Sequence, residues 1–224
     1  MMTSISSRLA SATPSEDWGW RVTGRASLTG NPLAAHRGAW LATLALLLVT
    51  LAILLAMDRP LICTCGDIKL WHGVVQSSGN SQHITDWYSP SHFIHGLIMY
   101  FLAWLLWVRW SVFKGRLAKW ALPIAVGIEA IWEVVENTPM IIDRYRDVTV
   151  SFGYVGDSIV NSMAGIGWMM AGFLIAFRLP WKVSVALAVL FELLTLCIIR
   201  DNLTLNVVML FWPIEAIREW QSLG

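Results

Sequence analysis

Three features of the sequence predict an all-α, polytopic helical membrane protein. Of its 224 residues 56% are hydrophobic and only 14% charged, and mean hydropathy is +0.59. Several apolar runs approach the roughly 20 residues a membrane-spanning helix needs. Many of the 14 Trp fall at the ends of those runs, where interfacial aromatic belts form. About five transmembrane helices are expected, plus a short C-terminal interfacial or re-entrant segment. The net charge of +1 and the lack of a basic cluster give no reason to expect a nucleic-acid partner. Three cysteines are too few for a disulfide framework. With no internal repeat, residues 39–224 read as a single helical membrane domain.

Residues 1–38 are rich in Ser, Thr and Gly and carry Arg8, Arg21, Arg25 and Arg37 without apolar periodicity, so they read as a disordered basic cytoplasmic tail. An organelle transit peptide would share the Arg and Ser but not Glu16 and Asp17. Trp40 to Met57 is an uninterrupted 18-residue apolar run, just long enough to span. The polar loop from Asp58 to Ser89 follows. Its Cys63-Thr-Cys65 reads as a plain thiol pair, oxidised or free, or as a metal pair with His72. Ile62 rules out a lipoprotein cleavage box. His72, Gln76, Asn80, Gln82, His83 and Asp86 suit a functional lid as well as a solvated loop.

The second span starts at Ser89-Pro90, with proline at the first helical position, and runs to about Trp110. His92 and His95 lie one turn apart on one face. A third span, within Leu117 to Arg146, carries Glu129, Glu133 and Glu136 on a stripe roughly 60° wide. The fourth begins near Tyr154, with Asp157 and Asn161 one turn apart and Gly165, Gly167 and Gly172 allowing close helix approach. The fifth covers Val183 to Ile199. Leu203 to Trp212 is too short to span simply, and the amphipathic IEAIREWQ after it suits an interface. Counting Lys and Arg gives ten on the side of the N-terminus and six on the other, so the N-terminus is expected in the cytoplasm.

Intramembrane acids cost roughly 2.5–3.5 kcal/mol each on insertion scales and normally face a protein interior or a wet cavity. With the third span ending near Ile142, Glu136 lies roughly 9 Å and Glu129 roughly 20 Å below its end, at the helical rise. Glu133, His95 and Asn161 then fall at comparable depths. An outward-facing polar site is expected, with His92, His95, Glu133, Glu136 and Asp157 as candidate catalytic groups and Glu129 deeper. His92, His95, Glu133 and Glu136 suit a divalent metal such as zinc or iron, although no HExxH spacing is present. A His–carboxylate pair also serves as general base or proton relay without metal. Arg144, Arg146, Arg200 and Asn161 are candidates for holding a lipid head group. The bland alternative is a polar seam that only fixes helix packing, with Arg144 paired to Asp143 or Asp147 and Arg200 to Asp201. A rhomboid-like dyad is excluded because no His follows His95. The Pro90-Ser91-His92 run lacks the glycine and the later partners of lipid phosphatases.

The run CTCGDIKLWHGVVQSSGNSQHITDWYSPSHFIHG, with WEVVEN, IIDRYR, GDSIVNS and IRDNLTLNV, resembles a family of uncharacterised bacterial multi-pass inner-membrane proteins over about Leu61 to Gln221. The resemblance implies a cell inner (plasma) membrane location and a helical fold, and no reaction. More distantly, a His at a helix start, an acid on the next helix and an Asp–Asn pair resemble VanZ-like membrane proteins. Ser89-Pro90-Ser91 stands where those carry Asp-Lys, so antibiotic-related roles are not carried over. Two functions of different class follow. One is a membrane enzyme acting on a lipid or envelope intermediate; the other is a non-catalytic binding or assembly factor recognising a head group or partner helix. Membrane lipids are the expected partners, and no protein partner is indicated.

Overall fold

The computed structural model describes residues 32–149 and 153–222. The basic tail expected over residues 1–38 lies mostly outside these residues, and its last seven join the first helix. Eight α-helices follow in chain order: α1 (Pro32–Ala56), α2 (Ser89–Trp104), α3 (Ala121–Glu136), α4 (Pro139–Val148), α5 (Ile159–Arg178), α6 (Trp181–Ile199), α7 (Leu203–Phe211) and α8 (Glu215–Ser222). No strand occurs among the described residues. The fold is therefore all-α.

Four helices, Arg37–Ala56, Ser89–Arg109, Ile159–Arg178 and Trp181–Ile199, are long and apolar enough to cross a membrane. The second reaches that length because a π-helical turn, Leu105–Arg109, continues α2. α3 is shorter, 16 residues or about 24 Å of rise, and packs against α1, α5 and α2. Outward faces of α1 and α6 are apolar and exposed, with Leu41, Leu48, Val185, Val189 and Leu193 all open, as a lipid-facing surface requires.

The tightest helix pair is α2 with α5. A Cβ on Gly96 would collide with the carbonyl oxygen of Met169, and one on Gly172 with that of Phe93. Glycine at both points lets the two backbones touch. Tyr100, fully buried, stacks edge-on against Phe173 at 5.2 Å on the same seam. Of the three glycines expected to admit close approach, Gly172 does so, Gly167 faces open space and Gly165 faces the polar site.

The third span does not run on to Ile142 as expected. It stops at Glu136, and α4 starts anew at Pro139. Proline has no N–H to give and pushes the residue before it out of the helical region, and Thr138 is extended at φ −78°, ψ 149°. Likewise α5 begins at Ile159, not near Tyr154, with the Ser158 hydroxyl accepting from Asn161 N–H.

The 58–88 loop is built into the fold. It buries Asn80, Ser81, Gln82, His83 and Asp86. Its carbonyls at Ser81, Pro60 and Leu61 accept from the N–H groups of Ser158, Ile159 and Val160, which no helical turn can satisfy. Cys63 and Cys65 form a disulfide. His72 turns to Ser77 Oγ at 2.7 Å instead of to the cysteines.

Candidate functional site

The α2–α5 seam fixes the rotation of α2 so that His92 and His95 face α3. Both imidazoles meet the same carboxylate. His92 Nδ1 lies 2.7 Å from Glu129 Oε1, and His95 Nδ1 lies 3.0 and 3.1 Å from the two Glu129 oxygens. Glu133 comes next on the stripe, 3.5 Å from His92 Nδ1 through Oε1. Glu129 and Glu133 are both buried. Neither oxygen of Glu133 has a hydrogen-bond partner. Gly165 on α5 makes room for this arrangement, since a Cβ there would sit 2.6 Å from Glu133 Oε1 and 3.1 Å from His92 Cε1.

A second acidic group adjoins the first. Ligand atoms of Glu133, Glu136 and Asp157 lie within 4.8 Å of one another, as do those of His92, His95 and Glu129. Asp157 is held from several sides. Tyr154 Oη donates to its Oδ1 at 2.9 Å, Asn137 Nδ2 to its Oδ2 at 3.3 Å, and its own N–H donates to Asn137 Oδ1 at 2.8 Å. Burial nevertheless pushes the Asp157 carboxyl up to about 6, against the lowering effect of the Tyr154 hydrogen bond. Arg59, the nearby guanidinium, is spent on the backbone carbonyls of Asp157 and Val155.

A cavity of roughly 160 Å³ opens beside these groups. His92, His95, Glu136, Asp157 and Asn161 all line it, with Tyr88, Trp132, Tyr145 and Tyr154 forming an aromatic wall. Leu203, Val207, Leu210 and Phe211 of α7 cover it. No Lys or Arg is among its lining residues. Four carboxylates therefore share one region with two imidazoles, and the nearest guanidinium, Arg59, bonds backbone carbonyls and none of the four, an arrangement costly in low dielectric without a cation or protons.

The catalytic candidates named from sequence come together here, but their pairing differs from expectation. His95 meets Glu129 and not Glu133. Ending α3 at Glu136 explains the difference. Counted from the helix ends, Glu129 lies seven residues in, roughly 10 Å, and His95 six residues in, roughly 9 Å. The signal was present in the sequence as Pro139. Asn161 lines the cavity, and its amide also donates to the His83 carbonyl oxygen at 2.6 Å and Asp86 Oδ2 at 3.2 Å.

Arg144, Arg146 and Arg200 are not brought to the cavity. Arg144 Nε donates to the Leu210 carbonyl at 3.0 Å, and Arg146 Nε to that of Tyr154 at 2.5 Å. Arg200 donates to the Trp220 carbonyl at 2.9 Å. All three tie segments together. Sequence reasoning passed over Asn137, Tyr154 and Arg59, whose roles depend on contacts distant in the chain.

Residues 54–223 match the family described as "Protein of unknown function (DUF2585)". A UPF0314 protein of Novosphingobium aromaticivorans is 54% identical over 195 residues, 87% of this chain and 98% of that protein. One from Sphingopyxis alaskensis is 54% identical over 190 residues, covering 84% and 97%. Another, from Agrobacterium fabrum, is 51% identical over 177 residues, covering 79% and 86%. No solved structure matches. The matched segment takes in the loop disulfide, both histidines, the acidic stripe and the cover of the cavity, so the chain belongs to the DUF2585 family, whose members include these UPF0314 proteins.

Proposed function

We propose that the chain is a multi-pass inner-membrane enzyme, N-terminus in the cytoplasm, acting on a lipid or envelope intermediate at a divalent metal such as zinc or iron. His92, His95, Glu129 and Glu133 are the ligands in this reading. The observation that carries it is Glu133, fully buried with both oxygens unpartnered, next to a carboxylate already wedged between two imidazoles. Donors bound tetrahedrally at 2.0–2.1 Å stand roughly 3.3 Å apart. Donor atoms of His92, His95 and Glu129 all lie within 4.8 Å of one another, near enough to converge on one cation, and Glu133 stands 3.5 Å from His92. Hydrogen bonding alone accounts for Glu129 but leaves Glu133 without a donor.

A metal here would polarise a substrate oxygen or lower the proton affinity of a water. Glu136 and Asp157 face the cavity and present two further carboxylates to a bound substrate. The aromatic wall and α7 line the cavity beside the reacting centre. An apolar cover suits a substrate that arrives from the bilayer.

The test is metal analysis of the full chain purified in a non-ionic detergent, with complementation of a deletion strain. Stoichiometric zinc or iron is expected, lost in Glu133→Gln and His92→Ala while both variants accumulate in the membrane. A metal-free wild type that Glu133→Gln fully replaces in the cell would leave a non-catalytic binding or assembly factor as the better reading.

A further inference from the structure

The acidic groups outnumber what one metal needs. Glu136 and Asp157 are not in contact with either imidazole's Nδ1, yet they share a 4.8 Å neighbourhood with Glu133. Glu133 thus belongs to a set made only of carboxylates and also stands 3.5 Å from His92 Nδ1, next to the set with two nitrogens. We propose that Glu133, Glu136 and Asp157 hold a second, harder divalent cation such as Mg²⁺ or Mn²⁺, with Glu133 shared between the two cations. This rests on the first metal reading and extends it to a two-cation centre.

Three features support the second position. Oxygen-only donor sets select Mg²⁺ and Mn²⁺ over metals that favour imidazole or thiolate. Both Glu133 oxygens are buried and unpartnered, which a carboxylate bridging two cations would not be. Ligating carboxylates are normally fixed by hydrogen bonds from a second layer, and Asp157 receives such bonds from Tyr154 and Asn137. Glu136 and Asp157 also line the cavity while Glu133 does not, so the second cation would face a bound substrate directly. With no Lys or Arg lining that space, the cations are what would hold an anionic head group there.

The experiment uses the full chain in non-ionic detergent, stripped with chelator and reloaded with one equivalent of Zn²⁺. Mn²⁺ is then titrated in, with free Mn²⁺ read by electron paramagnetic resonance and retained zinc by mass spectrometry. The expected result is one further equivalent of bound Mn²⁺ with zinc retained. Asp157→Asn and Glu136→Gln should each weaken Mn²⁺ binding at least about tenfold without loss of zinc, in line with typical effects on metal affinity. Zinc retention with no Mn²⁺ bound would overturn the second site and leave the first standing. Failure to retain zinc would remove the first reading as well. Wild-type Mn²⁺ affinity in both variants would place the cation elsewhere and overturn the proposal. Melting curves identify a variant that misfolds, and the wild-type titration decides the stoichiometry without any variant.

Discussion

Gly165 offers a perturbation that separates the site from the fold. It lies inside α5 at a helical position where alanine is favoured over glycine by about 1 kcal/mol. Nothing about its backbone asks for glycine, yet a Cβ there would stand 2.6 Å from Glu133 Oε1, 3.1 Å from His92 Cε1 and 3.2 Å from His92 Nδ1. An ordinary contact is roughly 3.5–4.0 Å, so the Glu133 carboxylate must retreat by about 1 Å. Its neighbours are buried, and the retreat costs about 1–3 kcal/mol of overpacking, partly offset by the helix gain. Gly165→Ala should therefore melt within a few degrees of wild type in detergent. Displacing a site group by about 1 Å, in contrast, reduces function by about a hundredfold, and metal affinity should fall by about ten- to a hundredfold. Gly167→Ala, two residues away with nothing within 4 Å of its Cβ, is the control and should be neutral or stabilising. The assay is metal affinity by competition with a chromogenic chelator, alongside melting. Wild-type affinity in Gly165→Ala would refute the placement of Glu133 against α5.

Other consequences are equally direct. Glu129 is buried between two imidazoles, so Glu129→Ala removes the partner of both His92 and His95, whereas His95→Ala leaves Glu129 its 2.7 Å contact with His92 and should cost less; a double-mutant cycle in detergent should show coupling between His95 and Glu129, and simple additivity would break the contact. Asp201 is buried, and desolvation pushes its carboxyl up to about 6 despite hydrogen bonds from Asn206, the Asn202 N–H, Tyr88 and Gln221. The folded chain then holds a proton that the unfolded chain, near 3.9, has lost, so stability declines as pH rises from about 4 to about 6 and levels off above, by about 3 kcal/mol in all. Asp201→Asn should flatten that part of the melting profile, and an unchanged slope would assign it to another group. Arg144→Ala should loosen α7 by removing the bond to the Leu210 carbonyl, without altering affinity for anionic vesicles; a drop in vesicle affinity would return Arg144 to head-group binding. A cysteine introduced at Ser78→Cys, exposed in the same loop, should react only from the outer face, and labelling from the cytoplasm would invert the orientation.

The helical class was legible because long apolar runs leave no alternative in lipid, where every backbone polar group must be satisfied within a helix. The cluster of polar groups was legible because acids at such depth need partners: His92, His95, the glutamate stripe and Asp157 could be listed before any contact was known. Their pairing was not. It depended on one helix end, and reading the apolar pattern through Pro139 moved the third span's end by six residues, about 9 Å. That shift set Glu133 level with His95 where Glu129 belongs. The loop also exceeded what local sequence can express. Pro60, Leu61 and Ser81 act through backbone carbonyls that cap α5, and a carbonyl leaves no residue preference to read. Arg144, Arg146 and Arg200 were singled out because Arg at a membrane rim suits anions. Each instead meets a carbonyl oxygen more than five residues away in the chain, a partner no charge pattern announces, although Arg146 also pairs with the neighbouring Asp143 at 3.1 Å.

The way the site is assembled also bears on how a substrate would reach it. The histidines ride on α2, which Gly96 and Gly172 fix against α5 by backbone contact. Such a seam cannot open without losing packing along much of both helices. α7 is attached differently. Glu192 accepts from the Leu203 and Thr204 N–H groups at its start, the Asn202 side chain caps it, and Arg144 holds the Leu210 carbonyl near its end. Between these ties its cavity side is apolar apart from Asn206, and Phe211 and Trp212 at its end stay largely exposed. Moving α7 would break these hydrogen bonds, uncover the buried Met209 and unpack Leu210 from the small cluster with Ile142, Tyr145 and Tyr154, whereas parting α2 from α5 would dismantle the larger core around Tyr100 and Phe173. The lower-cost route to the acids runs past α7, whose exposed apolar end suits contact with acyl chains more than with water.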